Sequence, residues 1–142
     1  MSQSIDVLLI EPLDSDARKT LDAIHRKAPN ASTVRVLEGE QAERLMFERG
    51  LFSEAPQLPR LIIADVAATG DSTRSVLRRI KSHTSTQNVP VVIFSATRNP
   101  SDILESHLMG VQMSVMKPED ADEYCSSVER IIAAWLVRSP TR

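Results

Sequence analysis

Short apolar runs alternate with longer segments of helical spacing along the chain, and each kind occurs five times. The apolar runs, rich in branched residues, are predicted β-strands at residues 5–10, 33–37, 60–65, 90–94 and 112–116. The segments between and after them are predicted helices at residues 13–28, 39–50, 72–81, 100–109 and 119–137. Gly110 is the predicted stop of the fourth helix, and residues 51–59 are a predicted surface loop. The predicted buried stripe of the first helix is Leu13, Ala17, Leu21, Ile24 and Ala28. Strand then helix, repeated in this way, is typical of a parallel sheet covered on both faces.

The five predicted strands differ in polarity. Strands one, three and four are continuously apolar, which is typical of strands buried on both faces, whereas Thr33–Leu37 and Gln112–Met116 contain polar residues. With these two strands at the edges, the pattern predicts an α/β fold of the flavodoxin-like (βα)5 type. This is a doubly wound parallel sheet of strand order 2-1-3-4-5.

Polar side chains stand at the carboxyl ends of four of the strands: Glu11 after strand one, Asp65 at the end of strand three, Ser95 after strand four and Lys117 after strand five. In the order 2-1-3-4-5 the topological switch point lies between strands one and three, so Glu11 and Asp65 are expected to meet. Two carboxylates there can hold a hard cation, which would offset the repulsion that opposes attack of a carboxylate on phosphorus. Lysine and a hydroxyl would complete a site for oxygen atoms.

These motifs resemble the receiver domains of two-component response regulators, and in particular the single-domain receivers that serve phytochrome-type sensor kinases. The similarity covers roughly residues 5–137. It is carried by Val7–Glu11, Leu61–Asp65, Pro90–Ala96 and Lys117–Pro118, with Phe52–Pro56 and Trp135–Leu136 pointing to the phytochrome subgroup. The resemblance also implies a cis peptide bond before Pro118, a form that a Lys-Pro step can adopt.

The resemblance implies a role for each residue of the site. Asp65 would accept a phosphoryl group from a sensor histidine kinase, Ser95 would sense its oxygen and Lys117 would pair with it. Glu11, Asp65 and the backbone carbonyl of Ala67 would bind Mg²⁺. No other cofactor is implied, and such a protein is no enzyme beyond its own phosphoryl transfer and dephosphorylation.

Four features depart from the pattern of that family. Receivers carry two adjacent acids after strand one, and the second is here Pro12, which offers neither a carboxylate nor an N–H. Weaker Mg²⁺ binding is therefore expected. The usual proline and glycine of the loop after strand three are Thr69 and Thr73, the aromatic switch residue of strand five is Ser114, and the family threonine is Ser95. Pro12 affects the chemistry, whereas Ser114 affects its coupling to the output surface.

Two other acids lie near the predicted site. Asp14 follows strand one and Asp71 follows strand three, so either could face the site in place of the missing acid. The residue type favours the alternative, in which each caps a helix or stands in solvent as a loop acid.

Composition narrows the classes of function. The 142 residues fit one domain (1–142, with a core at about 5–137 and a short tail at 138–142). The net charge of −2 does not favour binding to nucleic acid or to an anionic membrane surface. The N-terminal residues do not resemble a secretory signal, so none is expected, and no apolar run approaches the roughly 20 residues that span a bilayer. Cys125 is the only cysteine, so no internal disulfide can form, and a cytoplasmic protein is expected.

The sequence leaves three functions open. The first is a phosphorylated switch that signals by protein contact, with a homodimer through helix four, strand five and helix five as one form of that contact. The second is a pseudo-receiver, a binding module that works without phosphorylation, which Pro12 and Ser114 favour. The third is a flavin- or nucleotide-binding enzyme, but the loop Glu11–Asp16 has no glycine and three acids, which disfavours a phosphate.

Overall fold

The computed structural model describes residues 5–48, 58–69, 71–96 and 99–137, and its centre is a parallel sheet of five strands. The strands are β1 Val7–Ile10, β2 Thr33–Val36, β3 Leu61–Ala64, β4 Val91–Ser95 and β5 Met113–Met116. Their order is β2-β1-β3-β4-β5, with every neighbouring pair parallel, so the predicted fold and strand order are confirmed. Residues 51–57 of the predicted loop and the tail 138–142 lie outside the described residues.

Five helices follow the five strands: α1 Asp14–Lys27, α2 Gly39–Glu43, α3 Asp71–Ser82, α4 Pro100–Met109 and α5 Ala121–Ile132. Helices α2 and α5 end earlier than predicted, because the π-helical turns Arg44–Glu48 and Ala133–Val137 continue them. Helix α5 begins after Asp120, whose side chain accepts a hydrogen bond from the N–H of Glu123 at 3.0 Å and so caps the helix. A further helical turn, Val66–Thr69, was not predicted.

The burial of the strands follows their polarity. Every residue of β1, β3 and β4 is buried, whereas β2 and β5 are partly exposed, as predicted for edge strands. Successive side chains of the central strands point to opposite faces of the sheet and belong to two apolar clusters. One cluster lies under α1 and α5 and the other under α2 and α3. The two layers of helices fix the sheet from both sides, and the carboxyl ends of its strands form one edge.

The buried face of α1 differs from the predicted stripe. Leu13 was placed on that stripe but is 50% exposed, because the helix begins only at Asp14. Thr20 is fully buried instead, and its hydroxyl is satisfied by the phenol oxygen of Tyr124 at 2.8 Å. A polar side chain can therefore face the core of this helix when the neighbouring helix supplies its partner.

At Gly110 and Gly39 the structure requires a residue without a side chain. Gly110 ends α4 in the left-handed region, with φ of 93°, as predicted for the helix stop. Gly39 begins α2 so close to α3 that a Cβ atom would collide with the backbone carbonyl of Ser72. The N–H of Gly39 also donates to the Ser72 hydroxyl at 3.2 Å, so this contact ties the two helices together.

Candidate functional site

Backbone hydrogen bonding continues one residue beyond three of the strands and holds the polar residues that follow them. The N–H groups of Glu11, Asp65 and Lys117 donate to carbonyl oxygens of β2, β1 and β4 at 3.0, 3.0 and 2.8 Å. These three side chains therefore start from fixed backbone positions at the carboxyl edge of the sheet, where sequence analysis placed them.

The ammonium group of Lys117 lies among three carboxylates. Its Nζ atom is 2.6 Å from Glu11 Oε1, 2.6 Å from Asp65 Oδ2 and 2.8 Å from Asp16 Oδ2. Glu11 and Asp65 are only 1% and 3% exposed, and Lys117 is 8% exposed. The structure thus brings the predicted Glu11, Asp65 and Lys117 together and adds Asp16, which sequence analysis did not propose.

Burial and the lysine charge act in opposite directions on the acids. Burial raises the pKa of Glu11 above its ordinary value, and the hydrogen bond from Lys117 opposes this only in part. Burial also acts to raise the pKa of Asp16, but the hydrogen bond and charge of Lys117 outweigh it, so this pKa lies below its ordinary value. Asp16 is therefore held as a carboxylate, whereas Glu11 takes up a proton more readily than a free glutamate.

The same contacts fix the charge of the lysine. Burial acts to lower the pKa of Lys117, but the hydrogen bonds to Asp16, Asp65 and Glu11 outweigh it and raise the pKa above its ordinary value. Lys117 is thus a permanent buried cation at neutral pH.

The other predicted residues lie beside this cluster. Ser95 is the last residue of β4, is 2% exposed, and accepts the backbone hydrogen bond from Lys117. Ala67 lies in the helical turn that follows Asp65 directly. Their positions suit the proposed contacts, while their roles stay predictions.

Neither of the acids considered as replacements for the missing one reaches the cluster. The side chain of Asp14 is 87% exposed and pairs with Arg35 at 2.9 Å. Asp71 is fully exposed and lies 3.5 Å from Arg74. Both are solvated acids in the first turns of helices, which is one of the two roles that sequence analysis left open.

Asp16 reaches the cluster because of its place in the first turn of α1. Asp16 comes immediately before buried Ala17 and four residues before buried Thr20, so it lies at the border of the buried face of helix α1. Its backbone carbonyl accepts a hydrogen bond from the phenol of Tyr124 at 3.2 Å. A helical projection that counted Thr20 as buried would have revealed Asp16, whereas a stripe of apolar residues alone did not.

The oxygen atoms of this cluster suit a hard divalent cation. Carboxylate oxygens are the ligands that Mg²⁺ and Mn²⁺ prefer, and a cation already stands among them in the form of the Lys117 ammonium. Within the part of the chain that the structure describes, no group of three or more acids, histidines or cysteines is already arranged as a metal site. The donor chemistry therefore fits a metal ion, but the present arrangement is centred on the ammonium group.

At two further positions, Ser114 and the peptide bond before Pro118, the chain differs from the receivers that it resembles. The hydroxyl of Ser114, where receivers carry an aromatic residue, is buried and has no hydrogen-bond partner among the described residues. The described backbone contains no cis peptide bond, so the bond before Pro118 is trans and the expectation of a cis bond is wrong.

Known proteins resemble the chain over nearly its whole length, although no family model matches it. The response regulator Rcp1 of Synechocystis sp. (strain ATCC 27184 / PCC 6803 / Kazusa) is 23% identical over 130 residues, which cover 92% of this chain and 88% of Rcp1. The phosphorylated cyanobacterial phytochrome response regulator RcpA matches with a TM-score of 0.85 and 25% identity, over 97% of this chain and 98% of RcpA.

A crystal structure of Rcp1 is of interest for the metal. It shows an Mn²⁺-bound form of that protein and matches with a TM-score of 0.84 and 22% identity, over 97% of this chain and 99% of the chain in that crystal structure. In the described residues of the present chain, no helix is long and apolar enough to cross a membrane. The sheet order and these similarities show that the chain has the fold of a receiver domain and is similar to the response regulators of phytochrome systems.

Proposed function

We propose that the chain accepts a phosphoryl group on Asp65 from a sensor histidine kinase and then signals by protein contact. The observation that carries the proposal is the buried Asp65 carboxylate with the Lys117 ammonium at 2.6 Å. In the reaction, an Asp65 oxygen attacks phosphorus, the bond from phosphorus to the histidine nitrogen of the kinase breaks, and an acyl phosphate forms. No other enzyme activity is proposed.

Lys117 and Ser95 supply the protein's own contribution to this transfer. The ammonium of Lys117 already contacts an Asp65 oxygen, so it can pair with a phosphoryl oxygen that becomes attached there. Its positive charge would stabilise the negative charge that grows on the phosphoryl oxygens during the transfer. The Ser95 hydroxyl, at the end of the neighbouring strand, is proposed to bind another phosphoryl oxygen.

Glu11, Asp65 and the backbone carbonyl of Ala67 would hold Mg²⁺. When bound, the metal ion would reduce the repulsion between the carboxylate and the phosphoryl group. Pro12 cannot contribute a carboxylate, so we expect weaker binding than in a receiver with two adjacent acids. The Mn²⁺-bound form of Rcp1 supports the choice of a divalent cation.

The output surface is proposed to be the face of α4, β5 and α5. Its large apolar side chains are exposed among the described residues: Ile103, Leu104, Leu108, Met113 and Met116. A patch of this kind favours a protein contact, and we propose a homodimer or a downstream protein as the partner. We further propose that residues 1–142 work as one domain in the cytoplasm, without contact to nucleic acid or membrane.

A pseudo-receiver that works without phosphorylation is the second candidate, and Pro12 and Ser114 favour it. The two are separated in cells by Asp65→Asn, which removes the acceptor and keeps the size of the side chain. Signalling that is unchanged by this substitution would support the pseudo-receiver.

The phosphoryl transfer itself is tested by intact-mass measurement after incubation with a small phosphodonor and Mg²⁺. We expect a gain of one phosphoryl group in the wild-type protein and in Asp71→Asn, a matched control at an exposed acid. Asp65→Asn should gain nothing. The absence of any gain in the wild-type protein at every Mg²⁺ concentration would contradict the proposal.

A further inference from the structure

Pro12 removes an acid from the proposed metal site, yet the cluster still has three carboxylates. The third comes from Asp16 in helix α1, whose Oδ2 lies 2.8 Å from the Lys117 ammonium. Its side chain is 18% exposed, so it stands at the mouth of the cluster while Glu11 and Asp65 form the floor. The receiver-like motifs of the chain, Val7–Glu11, Leu61–Asp65, Pro90–Ala96 and Lys117–Pro118, do not include this position.

The backbone at Asp16 is fixed independently of the lysine. Tyr124 in α5 donates from its phenol to the Asp16 carbonyl at 3.2 Å, and the same phenol meets the Thr20 hydroxyl one helical turn further on. Lys19 adds a weak ion pair to the Asp16 carboxylate at 3.5 Å. Helix α1 thus presents its carboxylate from a set position, whether or not Lys117 stays in contact with Glu11 and Asp65.

The charges indicate what this carboxylate does when a divalent cation arrives. Glu11 and Asp65 together carry two negative charges, so a divalent cation and the Lys117 ammonium would leave an excess positive charge in a buried place, which is costly. The Asp16 carboxylate makes the group of three acids and two cations formally neutral. Because Nζ of Lys117 stands between Glu11 and Asp65, it must also move aside for a metal ion, and Asp16 lies on the solvent side.

We propose that Asp16 is a positioning residue for Lys117: it holds the ammonium at the edge of the site while a divalent cation occupies Glu11 and Asp65, and so compensates for Pro12. The inference rests on the proposed function, because it assumes that the site takes up a metal ion. Asp16 acts through Lys117 and need not touch the metal ion.

The test is Mn²⁺ binding, measured by electron paramagnetic resonance of the free ion. Wild-type protein is compared with Asp16→Asn, with Asp14→Asn and with the double variant Pro12→Asp/Asp16→Asn. Asp14 is the matched control, since it lies two residues earlier in the same helix turn and is 87% exposed. We expect Asp16→Asn to weaken Mn²⁺ binding about tenfold or more, as removal of outer-shell partners commonly does, and Asp14→Asn to change little.

The double variant tests whether Asp16 compensates for the acid that is missing at Pro12. An acid restored at position 12 should recover most of the Mn²⁺ affinity lost in Asp16→Asn. Failure of this recovery would contradict the compensation. Recovery would also show that the affinity loss did not come from a damaged fold.

A second readout follows Lys117 itself by nuclear magnetic resonance of its ammonium group during titration with Mg²⁺. In wild-type protein the ammonium signal should stay protected from exchange with water, whereas in Asp16→Asn it should become exposed when Mg²⁺ binds. Equal protection in the two proteins would overturn the positioning role.

The outcomes separate this inference from the proposed function. If wild-type protein binds Mn²⁺ and Asp16→Asn binds it equally well, only the inference fails. If wild-type protein binds no Mn²⁺ at millimolar concentration, the metal part of the proposed function fails and the inference fails with it.

Discussion

Two regions of the molecule are unusual in opposite ways: the carboxyl edge of β1 and β3 buries charged groups, and the edge formed by α4 and β5 exposes apolar side chains. At the first, three ionisable side chains, Glu11, Asp65 and Lys117, are almost completely buried. At the second, large apolar side chains such as Leu104 and Leu108 are 59% and 78% exposed. Burial of charge and exposure of apolar surface both cost free energy of folding, so each region indicates a function other than stability.

The two regions differ in what a partner can do there. The buried cluster offers charges fixed in a dry place, which favours chemistry on a small charged group. The apolar edge presents large hydrophobic side chains and favours contact with another protein surface. The difference teaches that this fold keeps its buried charges and its exposed apolar surface in separate places, so the proposed reaction and the proposed output would use different parts of the molecule. Ser114 in β5 lacks the aromatic side chain usual in receivers.

The largest expected effect is at the buried cluster. Lys117→Met leaves Glu11, Asp65 and Asp16 without their common cation, and we expect a loss of roughly 3–5 kcal/mol in the free energy of unfolding at pH 7. Urea denaturation measures it, with Lys27→Met at the exposed end of α1 as the control. A loss no larger than that of the control would mean that the cluster is not held by its lysine.

The pH dependence of this loss has a definite sign. The pKa of folded Glu11 is raised, so its ionised form costs stability at neutral pH, and this cost disappears as the pH falls through that pKa. Without Lys117 the pKa of Glu11 should rise further. The difference in unfolding free energy between wild-type protein and Lys117→Met should therefore shrink as the pH is lowered from 7.

An intermediate effect on stability is expected at Tyr124, whose phenol donates a hydrogen bond to the backbone carbonyl of Asp16. Burial raises the pKa of Tyr124 to about 12, although the Thr20 hydrogen bond acts in the opposite direction. Because this pKa is above the ordinary value near 10, the stability that it contributes is present below about pH 10 and is lost as the pH rises through the folded pKa. Ultraviolet absorbance of the phenolate should show titration near pH 12 in folded protein. Reversible titration near pH 10 without unfolding would contradict a buried phenol.

The smallest effect on stability is expected at the apolar edge. Leu108→Glu should change the free energy of unfolding by no more than about 0.5 kcal/mol, because the side chain is 78% exposed. Leu8→Ala in β1, which is fully buried, should lose about 2–5 kcal/mol. In sedimentation equilibrium, Leu108→Glu should lower self-association. A loss of stability similar to that of Leu8→Ala would show that Leu108 is part of the core.

Most of the sheet could be predicted from the sequence because polarity reports burial. The continuously apolar β1, β3 and β4 are central and the mixed β2 and β5 are at the edges, so the strand order followed. The residues that continue these strands, Glu11, Asp65 and Lys117, could be placed for the same reason. The end of α4 was also predictable, since Gly110 marks it by its left-handed backbone.

The features that the sequence did not predict depend on contacts between elements that are distant in the sequence. Asp16 meets Lys117 only because α1 packs against α5, where Tyr124 binds Thr20 and the Asp16 carbonyl. The burial of Thr20 needed that same partner, and a scale of hydrophobicity counts a threonine as polar. The helical turn Val66–Thr69 after β3 carries no apolar period of its own and was likewise not predicted.

The central claim is that the buried cluster around Asp65 accepts a phosphoryl group. A crystal structure of the wild-type protein with Mg²⁺ and beryllofluoride, a mimic of the phosphoryl group, tests it most directly. The account predicts the mimic on an Asp65 oxygen, Lys117 in contact with its fluoride, and the Asp16 carboxylate still paired with Lys117. An Asp65 carboxylate that remains free of the mimic at saturating concentration, with Lys117 still between Glu11 and Asp65, would contradict it.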